Sequence, residues 1–137
     1  MKRLYIDAKV MLDLLATRDL FWIPIGKIVS MAEKKKLSII VSPISFATVS
    51  YLLSKIEKHA QILEKLRDFR ILCEVSEISG TTIDKALNSD FSDFEDALQY
   101  YYATDSTCDI IITRNGKDFK KSVLPVMTAD EFLKSRL

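Results

Sequence analysis

Four short runs, Leu4–Ile6, Ser38–Val41, Ile71–Val75 and Asp109–Ile112, are apolar along nearly their whole length instead of at alternate positions. Pro125–Met127 is a weaker fifth. A strand that faces water on one side alternates, and a strand covered on both faces does not, so these runs predict a mainly parallel sheet buried between layers. The stretches between them carry helical periodicity. Val10, Met11, Leu14 and Leu15 make one stripe, Ile25, Ile28, Val29 and Ala32 a second, Phe46, Val49, Leu52, Leu53 and Ile56 a third, and Ile62, Leu63 and Leu66 a fourth. Further helices are expected from about Ile78 to Leu87, Asp93 to Thr104 and Ala129 to Lys134. Ser42-Pro43 reads as a cap with a first-turn proline, Ser92 as the cap before the acidic turn Asp93-Phe94-Glu95-Asp96, and Thr128 to Glu131 as a capping box. Strands alternating with helices give an α/β fold, and 137 residues suit one domain over 1–137.

In such sheets ligands bind beyond the carboxyl ends of the strands. That rule draws attention to Asp7, which follows the first strand. Two other segments place acids at element ends. FSDFEDALQYYYA carries Asp93 and Asp96 three apart, a spacing that puts both on one helix face with Glu95 pointing elsewhere. DIIITRNGKDF runs from a strand into Thr113, Arg114, Asn115, Lys117 and Asp118. Each acid alone reads as a helix or turn cap. Together, drawn to one crevice, they repel one another unless a cation, a proton or a basic neighbour intervenes. Oxygen donors of this kind suit Mg²⁺ or Mn²⁺. A metal held there acidifies a bound water and steadies a phosphoryl oxyanion, the chemistry of phosphodiester hydrolysis.

Composition narrows the remaining classes. Twenty basic residues nearly cancel nineteen acidic ones, so attraction to nucleic acid must come from local patches. Cys73 and Cys108 fall in apolar runs and read as buried free thiols, and His59, among charges, as a surface residue. No apolar stretch reaches the ~20 residues of a membrane span, and the N-terminus lacks the order of a signal peptide, so a soluble cytoplasmic protein is expected. AEKKKLS reads as a solvated lysine face, and Lys117, Lys120 and Lys121 sit beside the acids. Of Tyr100 to Tyr102, two are expected to pack and one to be exposed. Phe21 and Trp22 are candidates for a protein-docking groove or for core packing.

YIDAKVMLDLL, DFEDALQYYYA and DIIITRNGKDF…LPVMTADEFL, in this order from Leu4 to about Leu133, resemble PIN-domain proteins. The likeness is strongest to the VapC-like toxin ribonucleases of bacterial type II toxin–antitoxin pairs, in the subgroup that carries DFED and TRNxxDF. The resemblance implies a three-layer α/β/α domain with a mainly parallel sheet of four to five strands. It implies an endoribonuclease dependent on Mg²⁺ or Mn²⁺, an RNA substrate, a cognate antitoxin and a homodimer. Carried over by position, Asp7, Asp96 and Asp118 are the catalytic acids and metal ligands, and Asp93 joins the metal ligands on its spacing from Asp96 more than on the family pattern. Lys9, Thr113, Arg114, Asn115 and Lys117 are then supporting or substrate-binding residues. Two departures stand out. Lys9 replaces the asparagine of the family's Asp-x-Asn, and SPISFATVSYLLSK carries no acid where many members have a glutamate, although this subgroup often lacks it. Lys9 either neutralises the acids or reaches for RNA phosphate. The alternative reading is therefore a degenerate PIN scaffold that binds RNA or a protein partner without cleaving. A receiver-like switch also begins with strand-end acids, but IIVSP and ILCEVS offer only serines as its phosphoacceptor.

Overall fold

The computed structural model describes residues 1–136. Four parallel strands, β1 (Arg3–Ile6), β2 (Ser38–Ile40), β3 (Ile110–Ile112) and β4 (Val126–Met127), form one sheet in the order β2-β1-β3-β4. In register, Leu4 lies between Ile39 and Ile110, and Ile112 pairs with Met127. The helices are α1 (Ala8–Leu15), α2 (Trp22–Glu33), α3 (Pro43–Leu53), α4 (His59–Leu72), α5 (Gly80–Leu87), α6 (Phe94–Asp105) and α7 (Ala129–Lys134), and a 3₁₀ turn spans Gly116–Phe119.

Successive strand side chains point to opposite faces, and here both faces are covered. Leu4, Ile6, Ile39, Ile110 and Ile112 pack with Met11, Ile28, Val49, Phe69 and Phe132 from α1, α2, α3, α4 and α7. Tyr5, Ile40 and Ile111 pack on the other side with Tyr100, Tyr102 and Ala103 of α6 and with Phe119. α5 lies outside against α6, through Ala86, Ala97 and Leu98. The result is the three-layer α/β/α arrangement with a parallel sheet that the apolar runs predict. Each fully buried aliphatic or aromatic side chain contributes about 1.5–3 kcal/mol of transfer free energy.

One expected strand does not form. Ile71–Val75 is the end of α4 and the turn after it, with only Glu74 making a single parallel bridge to Ile40. Ile71 is 82% exposed, and an Arg70 guanidinium N–H donates to the Cys73 carbonyl, holding the helix end. The sheet therefore has four strands. Cys73 and Cys108 are free and buried, and burial pushes their thiols up to about 11 and about 12. Tyr100 and Tyr102 are buried and Tyr101 half-buried, while His59 and Lys34 to Lys36 are exposed. Among the described residues, no helix is long and apolar enough to cross a membrane.

The strand order fixes where a site can lie. From central β1 the chain moves to one side for β2 and to the other for β3, so the connections diverge between the carboxyl ends of β1 and β3. That divergence opens a crevice. Asp7 stands at the end of β1 and Thr113 at the end of β3, and the Asp7 N–H donates to the Ile112 carbonyl.

Candidate functional site

At this crevice lies a cavity of about 410 Å³. Its acids come from three distant segments. Asp7 arrives on β1, Asp93, Glu95 and Asp96 on the start of α6, and Asp118 on the 3₁₀ turn after β3. Lys9 of α1, Thr48 of α3 and Gln99 of α6 complete the walls used below.

Asp7 is buried and caps α1: its Oδ1 accepts the Val10 N–H at 3.0 Å. Its Oδ2 accepts a short hydrogen bond from the Thr113 hydroxyl, which in turn accepts the Asn115 N–H at 3.2 Å. Burial raises the Asp7 carboxyl above the ordinary aspartate range, and these hydrogen bonds and the Lys9 charge only partly counter it. Asp96 is raised to about 6, first by burial and then by the like charges of Asp118 and Asp93, with Lys9 opposing. The Lys9 ammonium lies 4.0 Å from Asp118 Oδ2 and is 62% exposed. One mobile-stemmed cation thus faces five carboxylates.

A hard divalent cation fits this site by donor type and by charge. All the acids are oxygen donors, and five carboxylates line the cavity against the single ammonium of Lys9. The side chains are not preassembled around an ion: among the described residues no three His, Cys, Asp or Glu groups are arranged to hold one.

The structure brings Asp7, Asp93, Asp96, Asp118 and Lys9 to one cavity and leaves other expected residues outside it. Arg114 does not line the cavity. Its Nε and Nη2 donate to Asp13 at 2.6 and 3.1 Å, and its guanidinium carbon stands 3.9 Å from the centre of the Phe21 ring. Asn115 is half-buried and joins the site through its backbone: its N–H donates to Thr113 and its carbonyl accepts the Asp118 N–H at 3.1 Å. Thr113 supports Asp7 directly, and Lys117 lines an adjoining groove beside Asp118. The α6 cap is Asp93 and not Ser92. Asp93 Oδ1 accepts the Asp96 N–H at 2.9 Å, so the two acids are a cap and its first turn, not two positions on one helix face.

Two cavity residues were not expected. Glu95 does not point away: its Oε1 lies 3.4 Å from the Thr48 hydroxyl, which donates to it. Gln99 is buried, and its Oε1 accepts the Tyr5 hydroxyl at 2.8 Å. The signal for both was spacing, since residues 95, 96 and 99 lie three and four apart on α6 and share a face. Asp13, a buried acid of α1, was also passed over, because its partner Arg114 lies 101 residues away.

Residues 3–117 match the PIN-domain family. Over 136 residues the chain is 26% identical to Ribonuclease VapC1 of Aquifex aeolicus (strain VF5), covering 96% of this chain and 93% of that relative. Its fold is similar to VapBC2 from Rickettsia felis, solved bound to a DNA fragment from their promoter, with a TM-score of 0.67 and 17% identity over 91% of this chain and 96% of that one. It is similar again to VapC20 of Mycobacterium tuberculosis, a sarcin-ricin loop cleaving toxin, with a TM-score of 0.67 and 13% identity over 86% of this chain and 94% of that one. Those two likenesses speak for the fold alone.

Proposed function

The chain belongs to the PIN-domain family, and from that premise we propose that it is a divalent-metal-dependent endoribonuclease, the toxin of a type II toxin–antitoxin pair. The observation that carries the reading is the gathering of Asp7, Asp96 and Asp118 from three segments into one strand-end cavity, with two of the three carboxyls raised. The ribonuclease and toxin names of the relatives support RNA as the substrate and a cognate antitoxin as the partner. Action as a homodimer in the cytoplasm belongs to the same proposal.

In this reading Asp7 and Asp96 would hold Mg²⁺ or Mn²⁺, with Asp93 and Asp118 as further oxygen donors. A bound divalent cation supplies an acidified water and offsets charge on the phosphoryl oxygens. The chain's own residues do the positioning. Thr113 and the Val10 N–H fix the Asp7 carboxylate, so that its remaining lone pairs face the cavity in one orientation. Asp96, its carboxyl raised to about 6, would have to release its proton to solvent for a cation to be held there below that pH. Lys9, long and exposed, swings from Asp118 to a substrate phosphate as a point charge.

The test is cleavage of RNA by the purified protein in Mn²⁺, compared with Asp96→Asn. Loss of at least about 100-fold is expected, as when a group that stabilises transition-state charge is removed. Cleavage that survives unchanged counts against this site. A second reading, a scaffold that binds RNA or a protein without cutting, is favoured by one observation: Lys9 already pairs with Asp118 where the carboxylates are not assembled around an ion. It requires an inactive wild type in which Lys9→Asn gains Mn²⁺ binding.

A further inference from the structure

Beside the acidic cavity lies a smaller groove of about 160 Å³ that the chemistry above leaves unused. The two share Ser92 and Asp118. The rest of the groove is Asp90, Phe91 and three lysines, Lys117, Lys120 and Lys121. Its charge is the reverse of the cavity's. Three ammonium groups stand against two carboxylates, where the cavity sets five carboxylates against one ammonium.

The backbone builds this rim. Phe119 is driven into the core at 2% exposure, and the 3₁₀ turn around it leaves Lys117, Lys120 and Lys121 outside. The segment after the turn is pinned. The Val123 N–H donates to the Tyr100 hydroxyl at 3.2 Å, and the Ser122 hydroxyl donates to the Leu124 carbonyl at 2.8 Å. Among the described residues Lys117 and Lys120 have no ion-pair partner. Lys121 has only Asp90, 3.7 Å away and 87% exposed, a contact that water screens. Phe91, packed with ring centres 5.3 Å from Tyr100 and 6.2 Å from Tyr101, gives the groove a rigid apolar wall. Uncommitted lysines beside a fixed aromatic, next to a region that repels anions, suit a flexible polyanion with planar bases.

On the ribonuclease reading, we propose that Lys117, Lys120 and Lys121 form the phosphate track for nucleotides on one side of the scissile bond. A single-stranded RNA lies along this rim and passes Asp118 into the acidic cavity. The lysine run Lys34 to Lys36 serves as the internal control. It precedes β2, and in a parallel sheet that places it at the edge opposite the ends of β1 and β3.

The experiment is fluorescence anisotropy of a short single-stranded RNA in EDTA, where affinity is read without cleavage, at ~50 to ~200 mM salt. Replacing Lys117, Lys120 and Lys121 together by Gln is expected to weaken binding about tenfold or more and to flatten the log–log salt slope by about 2, at roughly 0.7 per lost phosphate contact. The same triple change at Lys34, Lys35 and Lys36 is expected to stay within about twofold of wild type. Equal effects from the two triples overturn the track, and so does a wild type that binds no RNA at low salt. The ribonuclease reading is judged separately by Mn²⁺-supported cleavage and its loss in Asp96→Asn. A track that fails while that cleavage behaves as expected is therefore wrong on its own account.

Discussion

Asp7 and Asp13 are buried carboxylates at the two ends of one helix, and the chain keeps them by opposite means. Asp13 receives two hydrogen bonds from Arg114 and has Arg18 Nε 3.5 Å away. Asp7 receives only neutral donors, the Thr113 hydroxyl and the Val10 N–H. Consecutive residues leaving β3 serve one acid each. A buried charge is tolerated when it is paired. Asp13 is paired within the chain, so it ties α1 to the exit of β3 and needs nothing further. Asp7 has no cation in contact and its carboxyl is raised, first by burial, with only the more distant Lys9 charge opposing. The difference separates an acid paired within the chain from an acid that lines the cavity.

The largest break in that comparison is a double dissociation. Asp7→Asn is expected to lower RNA cleavage by at least about 100-fold while the melting temperature holds or rises, since an unpaired buried charge has been removed. Asp13→Asn is expected to do the reverse, costing stability while the cavity acids keep their places. Melting curves and cleavage rates on both variants check the pair. Next in size, Arg114→Met strands Asp13 with Arg18 alone. Urea unfolding is expected to show a loss of about 3 kcal/mol, the low end for a buried pair broken from one side.

The smallest effect is one of pH. The folded-state carboxyl of Asp96 is raised to about 6 from an unfolded value near 4, so the folded state binds the proton more tightly. Stability from this group is full below about pH 4, falls as pH rises toward 6 and is gone above it. Asp7 shifts in the same direction. Asp96→Asn is expected to melt higher than wild type at pH 7.5, with the gain shrinking as pH falls from 6 to 4. A gain that does not change with pH removes the raised Asp96 carboxyl, with its burial and its like-charged neighbours, from the explanation.

Much of this was legible in the residues because burial leaves a pattern. Strands covered on both faces must be apolar throughout, and Leu4–Ile6 and Ile110–Ile112 are. The same rule misled at Ile71–Val75, since a short apolar run at a helix end looks like a strand until its exposure is known. That Asp7, Asp96 and Asp118 meet in one cavity was legible because each stands at or near an element end: Asp7 after β1, Asp96 in the first turn of α6 and Asp118 in the 3₁₀ turn after β3. Arg114 was expected at the site because the family resemblance carries the Thr113-Arg114-Asn115 segment there as a whole, but neighbours leaving a strand point opposite ways, and its partner Asp13 is distant in sequence. Glu95 and Gln99 were missed, although their spacing puts them on one face of α6 with Asp96, because their partners Thr48 and Tyr5 are distant in sequence.

Five carboxylates line the cavity against one ammonium, that of Lys9, and on the proposed reading a metal ion supplies the balance. Isothermal titration of the wild type and Asp7→Asn with Mn²⁺, below pH 6 and in two buffers of different ionisation heat, tests it most directly. A saturable heat in the wild type, accompanied by proton release and absent from the variant, is the predicted result. An isotherm that is the same in both proteins, or no binding by the wild type at millimolar Mn²⁺, contradicts it.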